Sequence, residues 1–446
     1  MSGRHQNEGL TRLYRESGWT LRQLAQEVNK VGTERGTPTR YQAPSVHQWL
    51  DGHLPKEAAR PLILEALARR LRRPVTAAEA GFPPLTGQES GTEPGMVEDL
   101  VTMGREDMDP SRRKVLAASL YAAALPVPAY ADLVGRTRAG ATGRNARIGA
   151  GEVATVRTMT ECIADILDEL GGGHARPMAA AFLVNTVGPY LRAQASEPVR
   201  KDLLSAVSDL VYLTGWMAMY ERAHGLGQRY YLQALKFAAA GEDHVTYCRT
   251  LRGMALQAAN LKHSGRALSL ADAAAEAAPL AGPRLHAFLA GQQAQGAALV
   301  GDKRLAFARL AETEAALSKA DGRRDAIGGY DQAAYLFHVS GVRYALGDVH
   351  GSITSLRESN RVRPPVEKQG RAHANGLLAQ RQLEAGHLEA ACATWQSFLD
   401  DYEHLSSSRA DEHFDTLRTT LRPYVAHPGA RQVHDRARQL ARLKAA

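Results

Sequence analysis

Apolar residues recur at helical spacing through almost the whole of this 446-residue chain, and the alternating runs that mark strands are scarce. The pattern predicts an all-α protein. Leu10, Leu13 and Tyr14 share one face of a first helix that stops at Gly18. Thr20 then serves as N-cap for LRQLAQEV, where Leu21, Leu24, Ala25 and Val28 form one stripe. A connecting segment comes next over residues 29–44, with Gly32, Gly36 and Pro38. APSVHQWLDG predicts a short helix that turns Val46, Trp49 and Leu50 inward and leaves Ser45, His47 and Gln48 outward. Gly52 and Pro55 end it, and Glu57 to Leu71 supplies a closing helix with Leu62, Leu67 and Leu71 on its core face.

Between Pro83 and Pro110 the composition changes, and Pro84, Gly87, Gly91, Pro94 and Gly95 among polar residues predict a linker. Beyond it, SRRKVLAASLYAAALPVPAYA (Ser111 to Ala131) pairs Arg112 and Arg113 ahead of an apolar run, in imitation of a twin-arginine export signal. Its place deep inside the chain and the breaks at Pro126 and Pro128 favour a short helix that docks the linker on the C-terminal domain. No membrane role and a cytoplasmic location are the expectation.

From about Gly151 onward the chain is rich in Ala, Leu, Arg, Gln and Glu. Residues 265–279, 301–317, 347–364 and 386–399 each begin at a glycine turn and continue with small or apolar residues at three- and four-residue steps. Residues 215–237 offer a similar second helix through Tyr231, Ala234 and Leu235, with GLGQR at 225–229 as a loop or helix interruption. These segments resemble the second helices of tetratricopeptide repeats, at intervals of roughly 36 to 46 residues instead of a steady 34. The Trp-Leu-Gly-Tyr arrangement of the first helices is largely missing. Two last helices, about Ala410 to Leu421 and Gly429 to Leu443, cap the stack. The expected organisation is a helix-turn-helix domain over 1–82, a linker with a docking helix over 83–150, and a tetratricopeptide-like α-solenoid over 151–446.

Val46, Trp49 and Gly52 place the first region close to a known pattern: it resembles the lambda-repressor-like (xenobiotic-response-element type) helix-turn-helix family, with a longer connection before the recognition helix. That resemblance implies double-stranded DNA as partner, contacted by Arg40, Gln42, Ser45, His47, Gln48, His53 and Lys56. With a tetratricopeptide-like domain behind it, the chain resembles bacterial transcriptional regulators that sense a ligand, such as the peptide receptors of the Rap, Rgg, NprR and PlcR type. Its composition is similar to that of actinobacterial regulators of development and secondary metabolism. The resemblance implies a peptide or small metabolite in the concave face lined by the first helix of each pair, and a homodimer that spaces two DNA-binding units. On those helices stand Asn185, Tyr190, Trp216, Tyr220, Arg252, Asn260, Gln292, Tyr335 and His338. The amides suit a peptide backbone and Arg252 suits a carboxylate. Trp216 and Tyr220, four residues apart, fit burial in the core equally well.

The net charge of +8, with Arg35, Arg40, Lys56, Arg60, Arg69, Arg70, Arg72 and Arg73 around the first module, suits a polyphosphate partner. Cys162, Cys248 and Cys392 stand apart and read as buried small hydrophobes in a reducing compartment. No glycine-rich phosphate loop, Gly-x-Ser-x-Gly, His-Glu-x-x-His or Cys-x-x-Cys occurs, so neither catalysis nor a metal or cofactor is expected. The alternative function is a protein-interaction scaffold or adaptor whose N-terminal helices recruit a protein instead of DNA.

Overall fold

The computed structural model describes residues 7–34, 39–71, 75, 79–82, 95–109, 147–277, 282–320 and 330–445. The fold is all-α, with no strand element among the described residues. The first helix, α1 (Glu8–Ser17), begins where the Asn7 side chain accepts from the Leu10 amide and ends at Gly18, whose φ of +64° suits a residue without Cβ. Thr20 and Gln23 then form a reciprocal capping box: the Thr20 hydroxyl accepts from the Gln23 amide at 3.2 Å, and the Gln23 side chain accepts from the Thr20 amide at 2.8 Å.

The next helix, α2 (Leu21–Glu34), runs six residues into the segment expected to be a connection. Val31 extends the Leu24 and Val28 stripe and is fully buried, so packing carries the helix through Gly32. After α3 (Ala43–Leu50), a 3₁₀ turn over Glu57–Ala59 leads into α4 (Arg60–Leu71). Leu10, Leu13, Leu24, Val28, Val46, Trp49, Leu62 and Leu67 close a core of their own, completed by Val75, Ala80 and Phe82.

The predicted linker contains a docked helix earlier than expected. Residues Met96–Met108 form α5, which buries Leu100, Val101 and Met103, with Leu100 and Met103 in the large C-terminal core. It is pinned at its end by Asp107, which is 1% exposed, pairs with the buried Arg176 and accepts from the Tyr230 hydroxyl at 3.1 Å. The segment expected to dock, residues 111–131, lies outside the described residues.

The body starts with α6 (Ala150–Leu170), α7 (Gly172–Phe182), a π-helical turn over Leu183–Val187 and the short α8 (Gly188–Arg192). Six helical pairs come after it: α9 (Glu197–Tyr220) with α10 (His224–Ala240), α11 (His244–Asn260) with α12 (Ser264–Glu276), and α13 (Pro283–Leu299) with α14 (Lys303–Leu317). The last three are α15 (Gln332–Ala345) with α16 (Val349–Val362), α17 (Lys368–Glu384) with α18 (Leu388–Tyr402), and α19 (Ser408–Thr420) with α20 (Pro428–Ala445).

The turn inside five of these pairs holds one residue at positive φ: Arg222, Lys262, Gly301, Gly347 and Gly386. Gly265, expected to make the second such turn, lies inside α12, and Lys262 takes the left-handed position three residues earlier. Gly225 and Gly227 are likewise helical, correcting the reading of GLGQR as a loop or interruption. A Cβ on Gly227 would stand 3.1 Å from the Gly215 carbonyl oxygen, so the bare backbone lets α9 and α10 approach closely. Cys248 and Cys392 are buried as expected, whereas Cys162 is exposed on α6.

The array curls until its end meets its beginning. The Ser406 amide donates to the Leu170 carbonyl at 2.8 Å, the Gly173 amide donates to the Ser406 carbonyl at 2.9 Å, and the Ser408 hydroxyl donates to Glu221 at 3.0 Å. Lys368 and Glu169 are paired at 3.5 Å across the same junction. No helix among the described residues is long and apolar enough to cross a membrane.

Candidate functional site

Two regions gather the residues singled out in the sequence. The first is the outward face of α3. Val46, Trp49 and Leu50 anchor the helix in the core, Gln42, His47 and Gln48 are on the solvent side, and Ser45 is half-buried. Arg40, His53 and Lys56 flank its two ends, all three exposed. The chain leading into α3 is held by Asn29, whose amide donates to the Tyr41 carbonyl at 2.8 Å and accepts from the Tyr41 amide at 2.8 Å and the Thr39 hydroxyl at 2.9 Å. The Tyr41 ring stands edge-on to Trp49, 5.0 Å between centroids.

Several basic residues near this face have other work. Arg69 pairs with the buried Glu65 at 2.6 Å, Arg70 donates to the Ser17 carbonyl at 2.8 Å, and Arg60 donates to the Pro55 carbonyl at 3.0 Å. Arg69 is engaged within α4 itself, and Arg60 and Arg70 tie α4 to Pro55 and to the end of α1, so the charge around this module is less available to a partner than the sequence count suggests. Arg35, Arg72 and Arg73 lie outside the described residues. His47 is paired at 2.8 Å with Asp51, one turn along.

The second region is the inside of the curled body. Here first helices converge: the Arg252 guanidinium of α11 lies 5.3 Å from the Trp216 ring of α9 and 4.1 Å from the Phe288 ring of α13. Trp216 in turn lies 5.1 Å from Tyr220, over which Arg409 of α19 sits at 4.5 Å. One turn beyond Phe288 is Gln292, fully buried. His338 of α15 bonds the Tyr330 hydroxyl through Nδ1 at 2.8 Å. Gly291 admits this pair, since a Cβ there would stand 2.6 Å from the Tyr330 hydroxyl and closer still to His338 Nδ1. Further round, His373 contacts His413 at 2.8 Å.

Burial and neighbouring guanidinium groups keep these imidazoles neutral: His338 is pushed down to about 3 by desolvation and Arg252, and His413 to about 3 by desolvation and Arg409. Trp216, Tyr220, Arg252, Gln292 and His338 are thus brought together.

The other four expected ligand contacts are elsewhere. Asn185 is exposed on the π-helical turn and Tyr190 packs on the core in α8, both on the helices that carry α5. Asn260 is exposed at the last residue of α11, more than two turns past Arg252. Tyr335 interacts with Glu314 of α14, and burial together with that carboxylate raises the phenol's pKa.

Sequence reasoning missed Asn29, whose role depends on a loop twelve residues away, and Asp107, which lay in the supposed linker. It also missed Phe288, Tyr330, Arg409 and His413 in the interior. The signal for Phe288 was its four-residue spacing to Gln292, the same spacing that marked Trp216 and Tyr220.

No curated protein and no solved structure matches this chain. Residues 10–83 match the family described as the SP15 N-terminal domain, a span that coincides with the separate core from Leu10 to Phe82.

Proposed function

We propose that this chain is a DNA-binding transcriptional regulator, in which the module of residues 1–82 reads double-stranded DNA and the helical body senses a signal and pairs two copies. The observation that carries the reading is α3: a short helix anchored by Val46, Trp49 and Leu50, with Gln42, His47 and Gln48 outward and basic Arg40 and Lys56 at its flanks. Such a face suits the major groove, where an amide pairs with adenine and flanking cations hold phosphate. The tetratricopeptide-like pairing of the body supports the sensor role by analogy of architecture. A regulator of this kind works in the cytoplasm.

The scaffold reading has one observation on its side. Leu54, beside α3, is 52% exposed, as an apolar anchor for a protein partner would be. Fluorescence anisotropy with the DNA upstream of the protein's own gene, at two salt concentrations, separates the two. Saturable binding tighter than to random DNA, weakening as salt rises, supports the regulator. Equal, weak binding to every sequence overturns it in favour of the scaffold.

A further inference from the structure

Two arginines three residues apart on α11 have opposite fates. Arg249 is 5% exposed and has a carboxylate, Asp209, at 2.8 Å. Arg252 is 6% exposed, packed between the Trp216 and Phe288 rings, and no acidic side chain among the described residues pairs with it. A permanent charge taken this far from water without a counter-charge is costly.

Particular polar atoms on its own and adjoining helices are unpartnered too. Among the described residues, Arg252 Nε, both amide atoms of Gln292 and the Tyr231 hydroxyl are buried and lack a hydrogen-bond partner. Tyr231 and Gln292 are both 0% exposed. Each buried orphan costs about 1–3 kcal/mol, so four on adjoining helices mark a site built for something else. Phe288 ties them together: Arg252 stacks on its ring, and Gln292 comes one turn later on the same face.

We infer that the inside of the repeat array binds a small molecule carrying one carboxylate, which pairs with the Arg252 guanidinium and takes further hydrogen bonds from the Gln292 amide and the Tyr231 hydroxyl. One guanidinium balances one negative charge, and the His338 imidazole, on which Arg252 acts, is held uncharged. A phosphate ester would bring a second charge that Arg252 alone does not offset, the other interior cation, Arg409, standing beyond Trp216 over Tyr220. The Ser406 and Ser408 contacts and Arg409 over Tyr220 join the end of the array to its beginning, an arrangement that favours a compact ligand over an extended peptide. The inference rests on the reading of the body as a sensor and names the chemistry it senses.

The test uses the full chain without DNA, titrated with benzoate, its neutral isostere benzamide, and inorganic phosphate, and read by thermal melting and tryptophan fluorescence. Benzoate is expected to raise Tm saturably and to perturb Trp216 emission, a signal lost in Trp216→Phe while the Tm shift remains. Benzamide should bind at least about tenfold more weakly, and Arg252→Met should weaken benzoate by a similar factor. The ligand-free Tm of Arg252→Met should be unchanged or higher, because the substitution removes an uncompensated buried charge. A merely structural Arg252 would lower it. Should that variant not fold, Gln292→Leu gives the same comparison with both orphaned atoms removed.

Equal binding of benzoate and benzamide, no saturable benzoate effect, binding of phosphate alone, or an Arg252→Met protein that binds benzoate like the wild type would overturn the inference. Repeating the titration with operator DNA present separates the two readings. Benzoate binding with no change in DNA affinity keeps the site and removes its role in sensing.

Discussion

Asn29 and Tyr41, twelve residues apart, are joined like neighbouring strands: the Asn29 amide donates to the Tyr41 carbonyl and accepts from the Tyr41 amide, both at 2.8 Å. The side chain thereby supplies the Tyr41 backbone with partners and fixes the approach to α3. Asn29→Ala removes three hydrogen bonds and leaves half-buried backbone groups unpaired. It should destabilise the N-terminal module by about 1–3 kcal/mol. Melting of this module, followed through Trp49 fluorescence, checks the loss. An unchanged midpoint would mean that Trp49 and Tyr41 packing alone hold the loop.

Base reading and phosphate contact should separate by mutation. Gln48→Ala is expected to lower affinity for the cognate site by about 1–3 kcal/mol with little effect on random DNA. Arg40→Ala should weaken all sequences and flatten the salt dependence. Anisotropy titrations on specific and random duplexes measure both. Equal losses on the two duplexes for Gln48→Ala would remove that residue from the base-reading set.

The Asp107–Arg176 pair should hold α5, and with it the path to the N-terminal module, on the body. Both side chains are almost wholly buried. Arg176→Met removes the cationic partner of the buried Asp107 carboxylate, a change that costs about 3–5 kcal/mol for a broken buried pair. The expected outcome is release of α5, read as faster hydrogen exchange over 96–108 with α9 to α12 still protected. Asp107→Asn, which keeps a partner for Tyr230, should release it less. Uniform loss of protection across the body would show that the pair supports the whole core.

Acid should destabilise the body through its buried imidazoles. Unfolded, His338 and His413 take up a proton near 6.5; folded, each does so only at about 3. Between those values the unfolded chain binds more protons, so stability is intact above about 6.5 and is lost as pH falls toward 3. The charged groups facing them, Arg252 and Arg409, act in the same direction. His338→Gln should flatten the decline in denaturant midpoint over that interval. A variant with an unaltered slope would assign the acid sensitivity to other groups.

Assembly through the body is the last expectation. One small module contacts few base pairs, and two modules on half-sites about 34 Å apart need a rigid connector. Because α5 belongs to the body, the informative truncation falls after residue 82, not within or beyond α5. That fragment should be monomeric and bind DNA weakly, whereas the full chain should be dimeric by light scattering. A monomeric full chain, alone and on DNA, would refute the proposed pairing.

The sequence by itself determined what depends on spacing and capping along one stretch of chain. The Thr20 and Gln23 box, the Gly18 stop, the Val46, Trp49 and Leu50 anchor and the glycine turns at 301, 347 and 386 are all local, and so is the all-α character they imply. Tertiary structure decided the rest. Propensity and loop composition ended the second helix near Val28, but burial of Val31 carried it to Glu34. Lys262 occupies a left-handed turn that its side chain does not favour, because two packed helices require the reversal there. The supposed linker helix docks because Asp107 meets an arginine and a tyrosine far along the chain. Curvature separated the interior set from the rest: Arg252 meets Phe288 of another pair, one turn before the buried Gln292, while Asn260, on the same helix as Arg252, ends in solvent. Periodicity assigns a residue to a face of its own helix; what stands opposite that face is fixed only when the pairs stack and the array closes.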